Sequence, residues 1–183
     1  MCLPLFNVEP LHASSIQVES GAFLLLGPRG AGKSSLAAAM ETLGFGLLAD
    51  DCCAIDERMR LWPGPPLLNP RWTDAQQAIV GTYNAKNVRA PLRHSSDPHD
   101  VVSVLSLAPS EGAELEMRPL RPSEALLEVL ANVRAPGVLA SRRRSLQLRV
   151  ASALSTRRAA RVTFDPDRHG FGEVAETVAA RSD

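Results

Sequence analysis

The run Gly27-Pro28-Arg29-Gly30-Ala31-Gly32-Lys33-Ser34 constrains the fold of this chain more than any other stretch of it. It satisfies G-x-x-x-x-G-K-[ST] at every fixed position. Ala22-Phe23-Leu24-Leu25-Leu26 ahead of it reads as a buried strand, and Ser35 to Leu43 behind it as a helix rich in alanine and leucine. A strand, a glycine loop and a helix in that sequence let backbone N–H groups and a helix N-terminus converge on anionic oxygens. Lys33 adds a point charge for the β- and γ-phosphates, and the Ser34 hydroxyl suits Mg²⁺. The nucleotide-binding set expected from the motif is Gly27, Pro28, Arg29, Gly30, Ala31, Gly32, Lys33, Ser34 and Ser35.

A chain of 183 residues favours one domain, taken here as 1–183, and is long enough for a sizeable core. Its formal net charge is zero, so no overall field draws it to nucleic acid or to an anionic membrane. Neither partner is expected, and no oligomeric state is assigned. Cys2, Cys52 and Cys53 form neither a disulfide framework nor a zinc spacing. A reducing cytoplasm is the expected compartment. There is no secretion-signal pattern and no apolar run of membrane-spanning length.

Strands and helices interleave along the chain, which predicts an α/β fold. Leu11 to Val18 reads as a strand, Glu19-Ser20-Gly21 as a turn, and Gly44 closes the first helix. Phe45 to Ala49 is a second short strand ending at Asp50-Asp51, and Cys52 to Ile55 carries on as strand or turn. Prolines 63, 65, 66 and 70 forbid regular structure near 63–70. Trp72 to Val80 is expected as a short helix and Asn84 to Asp100 as a mobile basic loop. Val101 to Leu107 and Ala113 to Met117 read as strands able to pair as a hairpin. Ser123 and Glu124 open a capped helix, Ser141 to Leu154 is another, Ala160 to Phe164 is a strand, and Phe171 to Ala180 closes as a helix. The arginines at 142, 143, 144, 149, 157, 158 and 161 make the last third locally basic, read first as a solvated helix face and second as a docking surface for an acidic peptide.

Asp50-Asp51 is the second constellation. Phosphoryl transfer uses one carboxylate for Mg²⁺ and another for the proton of the attacking hydroxyl. Adjacent aspartates divide that work if their side chains diverge. Alone the pair also fits an acidic turn, but strand C-terminal ends line the ligand crevice of an α/β sheet, and Gly27 and Asp50 both lie there. His12 is the third member, on a strand expected beside the glycine-loop strand. Cys52 and Cys53 are read as small buried residues behind that site.

Taken together, Leu11-His12-Ala13-Ser14-Ser15, the loop Gly27 to Ser34, and Gly44-Phe45-Gly46-Leu47-Leu48-Ala49-Asp50-Asp51 resemble the catalytic domain of HPr kinase/phosphorylase. The likeness covers residues 11–55. It implies a P-loop mixed sheet flanked by helices, of the phosphoenolpyruvate carboxykinase-like branch. It implies a kinase that moves a phosphoryl group from ATP, with Mg²⁺, to a serine of a protein or peptide. By position, Asp50 would be the general base, Asp51 and Ser34 the metal side, and His12 and Lys33 would face the phosphates. The Glu-x-Arg-Gly segment that follows the aspartates in the classical enzymes is not found here. The chain is more similar to the short HPr-kinase-like proteins, some of which resemble tailoring kinases for ribosomally made peptides such as lasso precursors. Tyr83-Asn84-Ala85-Lys86 would be the counterpart of a lysine segment in that subgroup. A small-molecule hydroxyl kinase, or a nucleotide-binding module or ATPase with no protein acceptor, are the other readings of the same residues.

Overall fold

Gly21–Leu26 sets the layers of the protein, because every residue of this strand is buried and successive side chains point to opposite sides. Phe23 and Leu25 pack with Leu36 and Met40 of one helix and Val174 and Val178 of another. Ala22, Leu24 and Leu26 pack the other way, with Val129, Val150 and Leu154 of two further helices. A sheet with helices on both faces needs such a continuously apolar central strand. The computed structural model describes residues 8–65, 68, 91–134 and 142–181.

The strands are β1 (Val8–Leu11), β2 (Ser14–Val18), β3 (Gly21–Leu26), β4 (Gly46–Ala49), β5 (Cys53–Asp56), β6 (Arg60–Trp62), β7 (His99–Pro109), β8 (Glu116–Pro119) and β9 (Arg158–Phe164). The helices are α1 (Lys33–Thr42), α2 (Pro122–Ala131), α3 (Arg142–Ser155) and α4 (Phe171–Ala179). Neighbouring strands run β1-β5-β6-β7-β3-β2-β4, with β9 paired to both β7 and β8. The pairs β3·β7 and β7·β9 are parallel and the others antiparallel, so the fold is α/β with a central mixed sheet flanked by helices. No helix among the described residues is long and apolar enough to cross a membrane.

Four expectations change. Leu11 to Val18 is not one strand: it breaks at His12–Ala13, sending β1 to pair with β5 and β2 to pair with β3 and β4. His12 therefore sits in a bend, where its backbone N–H bonds the Asn132 carbonyl at 2.7 Å instead of a sheet neighbour. The β7–β8 hairpin does not form, because β9 lies between the two. β9 alternates toward burial and takes a partner on each edge, which leaves the exposed β8 as its outer neighbour. The second helix is capped from Arg121, whose N–H donates to the Glu124 carboxylate at 2.9 Å, with Pro122 rather than Ser123 at the start. The fourth concerns the basic loop, of which 91–100 is described: His99 and Asp100 already belong to β7, and 91–98 precedes it. That segment lies along β4, with Leu47 N–H on the Arg93 carbonyl at 2.9 Å and Leu92 N–H on the Glu41 carboxylate at 2.8 Å. It covers an otherwise open strand edge. Residues 84–90, the expected helix 72–80, the Tyr83–Lys86 segment and Cys2 lie outside the described residues.

Three of the seven arginines that make the last third locally basic meet partners within the chain among the described residues. Arg161 pairs with Glu128, Arg149 with Glu57 at 3.5 Å, and Arg158 donates to the Arg181 carbonyl. Cys53 is buried, with its thiol against the Ala13 carbonyl and the Ser15 hydroxyl, and burial pushes both it and Cys52 above the usual thiol range.

Candidate active site

β3 ends at Leu26 and the chain turns at once through residues with positive φ: Gly27 at 140°, Gly30 at 88° and Gly32 at 91°. Side chains rarely adopt these values, so glycine is needed for the curl. Gly32 is needed a second time. A β-carbon there would stand 2.3 Å from the Phe171 ring, which packs directly on the loop and meets Phe164 edge-on. Gly32→Ala should therefore lower stability by roughly 2–4 kcal/mol, combining backbone strain with overpacking. A urea unfolding midpoint measures it, and an unchanged midpoint would mean that the ring moves aside freely.

Gly32 caps α1, which starts at Lys33, two residues earlier than the pattern suggests. The loop's Pro28, Arg29 and Gly30 are exposed at the lip, while Ala31 turns into the core. Lys33 is 6% exposed. Its ammonium donates to the Gly27 carbonyl at 2.7 Å and the Pro28 carbonyl at 3.0 Å, and lies 3.2 Å from His12 Nε2. Three N–H donors thus meet three acceptors. Burial pulls the Lys33 amine below its usual range, and Asp50 and Asp51 pull it back.

At the end of β4, Asp51 takes a left-handed backbone with φ 64°, which aspartate tolerates better than most residues. The two carboxylates then diverge. Asp50 Oδ1 accepts from the Ser34 hydroxyl at 2.8 Å and from the Ser14 hydroxyl. Asp51 turns toward His12 and Arg134: its carbonyl lies 3.2 Å from His12 Nδ1, and its carboxylate pairs with the Arg134 guanidinium. The metal-side pair expected from sequence was Ser34 with Asp51, but the carboxylate that Ser34 touches is Asp50. His12, Ser14, Lys33, Ser34, Ser35 and Asp51 share one cleft of about 340 Å³, with Arg29 at its edge.

Three residues of this site were given no role from the sequence, although Ser14 lies in a segment that carries the resemblance. Ser14 completes the acceptor set around Asp50. Asn132 and Arg134 come from the end of α2. The Asn132 side chain links the Glu128 carbonyl, at 2.8 Å, to the Gly27 N–H, at 3.4 Å. Its own carbonyl holds His12 N–H, and the next residue but one places a guanidinium on Asp51. One short turn therefore touches the His12 bend, the glycine loop and the aspartate pair. The only sequence signal was a polar residue just after the apolar run Leu126 to Leu130. Gly27 and Asn132 are 105 residues apart, so nothing local links them.

Ser34 and Asp50 offer hydroxyl and carboxylate oxygens side by side, a donor set that suits Mg²⁺, which keeps waters and substrate phosphates as its other ligands. Among the described residues no group of three His, Cys, Asp or Glu side chains forms an all-protein cage.

No family model matches this chain, and no curated protein matches it in sequence. Solved structures do match it. One is the Hpr(Ser) kinase/phosphatase from Coxiella burnetii, which aligns over 95% of this chain and 95% of that one, with a TM-score of 0.45 and 14% identity. A likeness of that size carries no argument about the chemistry of this cleft.

Proposed function

We propose that this chain is a Mg²⁺-dependent kinase that transfers the γ-phosphoryl group of ATP to a serine hydroxyl of a protein or peptide. The observation that carries this reading is the divergence of Asp50 and Asp51 at the mouth of the glycine loop. A module that only binds nucleotide has use for Lys33 and Ser34 but none for two carboxylates aimed at different jobs. Lys33 and the loop N–H groups hold the phosphates, and Ser34 and Asp50 hold the metal side. Mg²⁺, when bound there, neutralises charge between the phosphates. Asp51 faces the cleft and takes the proton of the incoming hydroxyl. This division reverses the one that the resemblance to HPr kinase/phosphorylase implies, because Ser34 touches Asp50. His12 sits between Lys33 and Asp51 and holds both in register. The phosphoenolpyruvate carboxykinase-like fold, the cytoplasmic setting and the peptide-tailoring role belong to the same reading.

Incubation with γ-labelled ATP, Mg²⁺ and peptides or proteins encoded beside the gene tests it. Label on a serine is the expected result. Label on a small molecule makes this a small-molecule kinase, and label released only as phosphate makes it an ATPase.

A further inference from the structure

We propose that Arg134 is a catalytic group of this site, one that exchanges the Asp51 carboxylate for the transferring phosphoryl group of the bound nucleotide. The inference rests on the kinase reading above and adds a residue that neither the motif nor the resemblance supplies.

The Arg134 backbone is pinned. Its N–H donates to the Pro10 carbonyl at 3.1 Å, and Val133 before it bridges to Leu11. From there the guanidinium reaches two residues that line the cleft: Nη2 meets Asp51 Oδ1 and lies 3.0 Å from His12 Nδ1. A lone-pair count shows which contact holds. A neutral imidazole has one acceptor nitrogen. Lys33 has only donors and occupies Nε2, so Nδ1 carries the proton and points it at the Asp51 carbonyl. Arg134 then faces an N–H on His12, and the carboxylate of Asp51 is what retains it.

That retention is weak. The Arg134 and Asp51 side chains are 32% and 67% exposed, and pairs this open contribute about 0–1 kcal/mol. A phosphoryl group offers a guanidinium fork more anionic oxygen than one carboxylate does. Lys33 and Arg134 also flank the two nitrogens of the His12 ring, and once Arg134 leaves Asp51 both cations face the same incoming anion.

The exchange fits the group transfer. The acceptor oxygen bonds to phosphorus while the bond to the β-bridging oxygen breaks, and that electron pair leaves on the nucleoside diphosphate. The acceptor proton goes to Asp51, released from its ion pair. Arg134 holds the charge on the equatorial oxygens. Phosphate arrival and freeing of the base become one event.

The test compares MgADP alone with MgADP plus aluminium fluoride, which mimics the planar phosphoryl group, by calorimetric binding. Wild type should bind ADP more tightly when aluminium fluoride is present. Arg134→Ala should hold MgADP within about threefold and lose the tightening by a factor on the order of 10² or more. Arg134→Lys should keep a small part of it, and added guanidinium should restore a part in Arg134→Ala. Retained tightening in Arg134→Ala overturns the proposal and leaves the kinase reading intact. Equal loss of MgADP binding, with the circular dichroism spectrum unchanged, also overturns it and makes Arg134 a clamp on the loop. Wild type that binds MgADP without tightening overturns it too. Wild type that binds no MgADP removes the kinase reading and this proposal together.

Discussion

Lys33→Ala should abolish measurable nucleotide binding. The substitution removes a buried cation whose hydrogen bonds to phosphate are charge-assisted and contribute roughly 1.5–3 kcal/mol each. The one N–H that phosphate draws away from His12 gives one such bond, about 10- to 10²-fold in affinity. A second cost falls on the loop itself. The Gly27 and Pro28 carbonyls lose the donor that now holds them, so the curl that presents the loop N–H groups loosens. Calorimetric titration with MgATP measures the loss, and tight binding by the variant would sink the assignment of this loop to phosphate. The amine is also parked in the structure, since its three N–H groups are already spent on Gly27, Pro28 and His12. Phosphate must displace at least one of these, and the His12 contact, at 3.2 Å, is the longest of the three.

The two aspartates should fail in different ways. Asp51→Asn is expected to bind MgATP nearly as wild type does and to lose phosphoryl transfer by roughly 10²–10⁴-fold, the usual cost of removing a general base. Asp50→Asn is expected to raise the Mg²⁺ concentration needed for nucleotide binding. An amide can still accept from Ser14 and Ser34 but brings no charge to the metal side. Mg²⁺ titrations of binding and single-turnover rates separate the two. If Asp50→Asn loses transfer at an unchanged Mg²⁺ requirement while Asp51→Asn raises that requirement, the roles revert to those the resemblance implies. Both variants keep their side-chain volume, and a circular dichroism spectrum matching wild type checks that the fold is kept.

The glycine loop, its strand and its helix were legible because their physics is local. A strand residue needs apolar neighbours, a curl needs glycine, and a helix needs a run of formers, all within twenty residues. The divergence of Asp50 and Asp51 was legible only as a condition, since it depends on the left-handed backbone at Asp51. The hairpin expected from Val101–Leu107 and Ala113–Met117 was misplaced for a related reason. Alternation marks a strand, but which strand lies beside it depends on β9, which arrives after α2 and α3. His12 was found as a residue and misjudged as a strand position, because the Asn132 carbonyl that draws it into a bend comes from the far side of the chain.

By itself, the sequence determined that this protein carries a glycine loop between strand and helix, a lysine and serine to follow it, and two carboxylates one strand away. Tertiary structure alone decided which carboxylate meets Ser34, that Lys33 rests on its own loop and on His12, and that Arg134 joins the site at all. The reason is range. Backbone conformation and burial follow from neighbours in sequence, whereas the partner of a charge is set by whichever element the packed sheet and helices bring within three ångströms of it.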